Sequence, residues 1–299
     1  MLHHDSHRLY ESIARPRGGF AMVALDARES MRGLFRDAGH PDEDHDLSDF
    51  KELAAREVAA GASAVLCDPV YGKAAIQALR SEHPETGLIV AVDQFEEPRY
   101  GPLQESVLDE SVMKPIVAEG GVSALKLYLF WRPGTAEGFR RDDAKRFVER
   151  CRELGVLSLL EGVVLGEPDD TDFNFDDELV RASEMMGGLQ PDVYKTQLPT
   201  LGRASDASIE HESRRVTDAV GGPWVVLSNG VESHRFAGAV GAACRGGASG
   251  LLAGRGVWRA ALSSSDPAEE LATSGRERLR ELLDVVDEYA RPWPDAVRT

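Results

Sequence analysis

The sequence predicts an α/β protein of the (β/α)₈ TIM-barrel class. Eight short apolar segments recur along 299 residues, amphipathic helical stretches lie between them, and the helix-to-strand joint repeats with its own signature. The segments are near-continuous apolar runs, as strands buried on both faces of a parallel sheet require. An open doubly wound sheet fits the same alternation and stays open as the other arrangement.

In chain order the strands are "FAMVALD" (20–26), "AVLCD" (64–68), "GLIVAVD" (87–93), "ALKLYLFW" (124–131), "LSLLEGVV" (157–164), "DVYKTQLP" (192–199), "WVVLSNG" (224–230) and "GLLAGR" (250–255). Helices are expected over "LSDFKELAAREVAAG", "RDDAKRFVERCRELG", "ASIEHESRRVTDAV" and "ESHRFAGAVGAACRGG", whose apolar residues recur at three- and four-residue spacing with glycine after the last turn. The joints "AAGASAVLCD", "AEGGVSALKL", "RELGVLSLLE" and "CRGGASGLLAG" all run from a small-residue helix end through glycine into a strand. Segments 35–46 and 94–106, rich in Asp, Glu, Gly and Pro, read as loops after strand ends, on the face where barrels carry their active sites. "RERLRELLDVVDEYARPWP" reads as a last helix stopped by its prolines. No linker divides the chain, so one domain over 1–299 is expected.

Composition narrows the function. A formal charge of −17 without a contiguous basic stretch argues against nucleic acid. No 18-residue apolar run and no signal-peptide layout is present, so a cytoplasmic protein away from membranes is expected. Cys67, Cys151 and Cys244 lie far apart, without metal-site spacing, and read as buried small apolar residues. There is no dinucleotide fingerprint, P-loop or HExxH, and neither a cofactor nor a metal is expected.

The strand ends carry the chemistry. In a barrel they would bring Asp26, Asp68, Asp93, Lys126, Glu161, Lys195, Ser228 and Arg255 to one face. Taken singly, Asp68 and Asp93 read as caps or loop-fixing acceptors. Lys126 and Lys195 are different: the chain has only six lysines, and these two sit inside apolar strands. Buried lysine needs a partner, and a pocket amine beside a carboxylate such as Glu161 suits imine formation and proton transfer next to a carbonyl. The glycines and arginine of "LSNG" (227–230) and "AGRG" (253–256), with Gly254 and Arg255 foremost, stand after the seventh and eighth strands, where barrels often bind phosphate.

With those residues in place, the chain resembles the class I tagatose 1,6-bisphosphate aldolases, and more closely the sulfofructosephosphate aldolases of sulfoquinovose breakdown. "GGFAMVALDARESMR", "ALKLYLFWRP", "LLEGVV", "DVYKTQLP", "PWVVLSNGV" and "GASGLLAGRGVW" carry the resemblance over residues 18 to 258. It implies that Lys195 forms a Schiff base with a ketose phosphate, that Glu161 and Lys126 handle protons, and that Asp26 is an acid near the substrate. It also implies that Ser228 and Arg255 hold a terminal anion, read as the one at C6, and that Arg28 and Gly254 belong to the substrate-binding set. Cleavage to dihydroxyacetone phosphate and a three-carbon aldehyde, without a metal, and a homo-oligomeric assembly are implied as well. The chain departs from the family pattern at Ala27, Thr196, Gln197 and Gly162, which bears on which sugar is accepted. A different phosphorylated keto sugar, or a barrel that binds a sugar phosphate without turning it over, are the competing readings.

Overall fold

In the computed structural model the described residues are 4–96, 105–133, 140–166, 173–228 and 231–297. The chain opens with α1 (His4–Ile13), then β1 (Phe20–Ala24), α2 (Glu29–Asp37), α3 (Asp44–Ala59), β2 (Ala64–Cys67), α4 (Lys73–Glu82) and β3 (Gly87–Ala91). A hairpin of β4 (Asp93–Glu96) and β5 (Glu105–Leu108) leads into α5 (Glu110–Ala118), β6 (Val122–Trp131), α6 (Arg141–Leu154), β7 (Leu157–Val164), α7 (Phe175–Gly187) and β8 (Val193–Gln197). After a 3₁₀ turn at Pro199–Gly202 follow α8 (Asp206–Val220), β9 (Trp224–Leu227), α9 (Ser233–Arg245), β10 (Gly250–Ala253), α10 (Arg255–Trp258), α11 (Pro267–Glu270), α12 (Arg276–Tyr289) and α13 (Trp293–Ala296).

Eight strands close into a barrel in the order β1-β2-β3-β6-β7-β8-β9-β10, with every neighbouring pair parallel. All eight expected strands are present, which settles the barrel over the open sheet. The alternation along each strand divides the core in two. Ile89, Ala91, Ala124, Leu157, Leu159, Val193, Val225 and Leu252 fill the barrel interior, while their neighbours, such as Val90, Leu125, Leu160, Tyr194, Val226 and Leu251, pack outward against the helices.

The barrel floor is sealed by α1. Tyr10 stacks on Trp293 with ring centroids 4.5 Å apart, and its hydroxyl donates to the Asp192 carbonyl at 2.9 Å. Helix stops follow local chemistry: Gly155 and Gly221 adopt the left-handed conformation after α6 and α8, which glycine enters without steric cost.

Both segments expected to be loops contain regular structure. Phe35–Asp37 ends α2 and Asp44 begins α3, because the buried Phe35 and a capping box between Glu43 and Asp46 fix those ends. Within 94–106, the ends pair as the antiparallel β4–β5 hairpin, while 97–104 lies outside the described residues.

Candidate active site

A cavity of about 400 Å³ opens at the carboxyl ends of the barrel strands. All eight residues singled out for the site line it: Asp26, Arg28, Lys126, Glu161, Lys195, Ser228, Gly254 and Arg255. Asn229 and Gly230 of the "LSNG" stretch lie outside the described residues.

Lysines and acids meet through strand register. Glu161 on β7 stands opposite Lys195 on β8, and Glu161 Oε1 is 2.9 Å from Lys195 Nζ. Both are inward-facing and only 4% exposed. Lys126 on β6, 2% exposed, is surrounded by acids from three other strand ends: Asp26 Oδ2 at 2.6 Å, Asp93 Oδ1 at 2.9 Å and Glu161 Oε2 at 3.3 Å. Burial works to lower the Lys126 ammonium, but Asp26, Asp93 and Glu161 outweigh it and hold the group well above the usual lysine range. Burial likewise works to raise Asp26, yet Lys126 first, then Lys195 and Lys51, hold its carboxyl well below the usual range.

Glu161 therefore bridges two amines unequally. Its Oε1 pairs with Lys195, whereas Oε2 is buried and has no well-formed hydrogen bond. An acceptor with spare capacity beside an amine is the equipment of a proton shuttle.

Around this cluster lies a supporting layer. Asp68, as expected of a loop-fixing acid, accepts from the backbone amides of Val70 and Tyr71 at 2.9 and 2.8 Å. It also pairs with the fully buried Lys51 of α3. Asp93, expected as a cap or loop-fixing acceptor, accepts from Tyr128 N at 3.2 Å and also joins the Lys126 cluster. The Arg28 guanidinium donates to the Asp93 carbonyl at 2.9 Å and lies 3.7 Å from Asp68, so part of its donor capacity is spent within the wall.

The opposite wall carries Ser228, Gly254 and Arg255. Gly254 is sterically required, since a Cβ there would sit 2.0 Å from the Ala24 carbonyl and 2.6 Å from Trp258 Nε1. Burial, and then nearby Arg259, lower the Arg255 guanidinium from its ordinary value, and Tyr128 acts in the other direction. Arginine stays charged through such shifts. Among the described residues no acid pairs with Arg255, so its fork is available to an incoming anion.

A match to the family model described as DeoC/LacD family aldolase covers residues 20–260. The chain belongs to the DeoC/LacD family of aldolases. It is 25% identical over 317 aligned positions to the tagatose 1,6-diphosphate aldolase of Listeria monocytogenes serotype 4a, covering 95% of this chain and 92% of that one. It is 23% identical to the tagatose 1,6-diphosphate aldolase of Lactococcus lactis subsp. lactis, covering 99% and 100%. Among solved structures, the Plasmodium falciparum fructose-bisphosphate aldolase, crystallised with TRAP and a small-molecule inhibitor, shares the fold with a TM-score of 0.69 at 12% identity, over 99% of this chain and 95% of that one. The family member is thus a lyase on a closed parallel barrel.

Two parts of the site were missed in the sequence. Lys51 is on the apolar face of α3 with Leu47, Ala54, Ala55 and Val58, a position the helical spacing already marks as inward. Tyr128 lies two residues beyond Lys126 on β6, hence on the same face, and also lines the cavity. Three departures from the family pattern do not line the cavity. A Cβ on Gly162 would meet Tyr194 Oη at 2.5 Å and Met186 Sδ at 2.6 Å on the helix side. Thr196 donates to the Gly162 carbonyl at 2.9 Å, and Gln197 Oε1 accepts from Val164 N at 2.7 Å, both as strand-fixing contacts. Ala27 alone of the four lines the cavity.

Proposed function

We propose that this DeoC/LacD-family aldolase works by imine chemistry: Lys195 is the nucleophile and the substrate is a ketose 1-phosphate with a second anion at C6. The unequal placing of the two lysines carries this reading. Lys126 is held charged by three carboxylates and cannot readily give up its proton, whereas Lys195 pairs with Glu161 Oε1 alone and the other Glu161 oxygen, 3.3 Å from Lys126, makes no well-formed hydrogen bond.

The neutral Lys195 amine adds to the C2 carbonyl carbon, and with one proton taken up from solvent the oxygen leaves as water and a protonated imine remains. Glu161 takes the proton of the C4 hydroxyl as the C3–C4 bond breaks. The electron pair of that bond moves into the imine to give an enamine, and C4 leaves as the aldehyde carbonyl. A proton returned to C3 restores the iminium, and water releases dihydroxyacetone phosphate and the free lysine. The fixed charge of Lys126 stabilises negative charge developing on oxygen and orients Glu161.

Ser228, Gly254 and Arg255 supply the anion site. They follow the ends of β9 and β10, on the side of Lys195 away from Glu161. If the C3–C4 bond lies over Glu161, that side is where C1 points, so the strand order favours the C1 phosphate for Arg255 over the C6 anion suggested by the sequence. The C6 anion is a phosphate or a sulfonate, by analogy with tagatose 1,6-bisphosphate and sulfofructose 1-phosphate. The other keto-sugar reading keeps one observation in its favour: Ala27 is the departure that lines the cavity.

The test is a coupled assay for dihydroxyacetone phosphate over tagatose 1,6-bisphosphate, fructose 1,6-bisphosphate and 6-deoxy-6-sulfofructose 1-phosphate. Release from at least one supports the proposal. Binding of all three without release would leave a sugar-phosphate-binding barrel.

A further inference from the structure

Lys195, Glu161 and a third residue form one row across the barrel wall. Glu161 is the register partner of Lys195 on one side and of Tyr128 on the other, so β8, β7 and β6 present an amine, a carboxylate and a phenol at the same height. Adjacent strands lie about 4.8 Å apart, which puts the Tyr128 backbone roughly 10 Å from that of Lys195.

The phenol is held from several directions. Tyr128 N donates to Asp93 Oδ1 at 3.2 Å, and its carbonyl accepts from the Ser106 hydroxyl. The ring packs edge-on against Phe130 at 5.0 Å, tilts over Phe95 at 5.7 Å, and lies 5.2 Å from Lys126 Nζ. The hydroxyl, by contrast, has no hydrogen-bond partner among the described residues, although the side chain lines the cavity. Burial foremost, then the Glu161 carboxylate, raises the phenol above its ordinary range, so it remains an O–H donor at neutral pH.

Resting on the imine reading above, we propose that Tyr128 is a substrate-contacting residue whose hydroxyl donates to an oxygen on the aldehyde half of the sugar, beyond the bond that breaks. A chain fixed at C2 by Lys195 and crossing Glu161 at C3–C4 brings its next oxygens to Tyr128. The hydrogen bond would help fix the C3–C4 bond over Glu161, and a half-buried polar group placed this way discriminates against substrates that lack its partner.

The test is Tyr128→Phe in the full chain, which removes one oxygen and keeps the packed ring. With whichever of the three ketose phosphates the wild type cleaves fastest, kcat/KM is expected to fall about tenfold or more. Borohydride trapping of dihydroxyacetone phosphate, which has no aldehyde half, should stay within about twofold of wild type. Unchanged cleavage would overturn the proposal, and so would equal losses in cleavage and trapping, which would assign the hydroxyl to the imine end or to the fold. A wild-type protein that neither cleaves nor is trapped would instead bring down the imine reading, and the Tyr128 assignment with it.

Discussion

Glu161 Oε1 sits 2.9 Å from Lys195 Nζ across one step of the β7–β8 ladder. In the proposed mechanism this pairing makes Glu161 the group that relays protons for the amine. Glu161→Gln keeps the side-chain shape and removes the base that takes up the proton, so imine trapping should persist while turnover falls by roughly 10² or more. Turnover within a few-fold of wild type would reduce Glu161 to a structural neighbour.

Lys126 is the counter-charge for Asp26, Asp93 and Glu161. Lys126→Met leaves those carboxylates buried without it, which should cost about 3–5 kcal/mol at pH 7, read by denaturant unfolding. The signs fix the pH dependence. Wild-type Asp26 is depressed from 3.8, so its contribution is present above that pH and lost as pH falls through the folded value. Lys126 is raised from 10.5, so its contribution is present below that pH and lost as pH rises through the folded value. Wild-type stabilisation by the cluster should thus be flat from about pH 5 to 9. In the variant Asp26 loses its nearest cation while burial still works to raise it, so protonating Asp26 should recover part of the loss as pH falls below 7; a constant difference would mean that Lys195 and Lys51 replace that charge.

The proposed imine stabilises the carbanion without a Lewis acid, and the three carboxylates converge on an ammonium. Turnover should therefore survive prolonged EDTA treatment. Loss of turnover that added zinc restores would contradict the mechanism.

Arg255→Lys keeps one charge and removes the planar fork. Removing a charge-assisted hydrogen bond in this way costs about 1.5–3 kcal/mol, roughly a ten- to hundredfold drop in kcat/KM. With the arginine on the C1 phosphate, the drop should be similar for fructose 1,6-bisphosphate and fructose 1-phosphate. A drop confined to the doubly anionic substrate would move Arg255 to the C6 end.

The barrel was legible because strands buried on both faces leave unbroken apolar runs, and a lysine inside such a run is conspicuous. Lys126 and Lys195 stood out for that reason, and Glu161 as a carboxylate at a neighbouring strand end. The β4–β5 hairpin was not legible, since its strands are four residues each and its segment reads as Glu, Pro and Gly. The role of Asp93 was hidden for a different reason: a carboxylate that fixes a loop and one that meets Lys126 look alike until the register of β3 with β6 is known. The orientation of Gly162 also depends on a neighbour, because Tyr194 of the next strand fills the space beside it. Lys51 and Tyr128 could have been read from periodicity alone, by following the inward face of α3 and of β6.

In the proposed mechanism Lys195, and not Lys126, carries the imine. Wild-type protein treated with dihydroxyacetone phosphate and borohydride, then digested and mapped by mass spectrometry, reads it directly. The expected result is one modified peptide labelled at Lys195, with activity falling in proportion to labelling and no label in Lys195→Met. Label at Lys126 with Lys195 untouched would contradict the account.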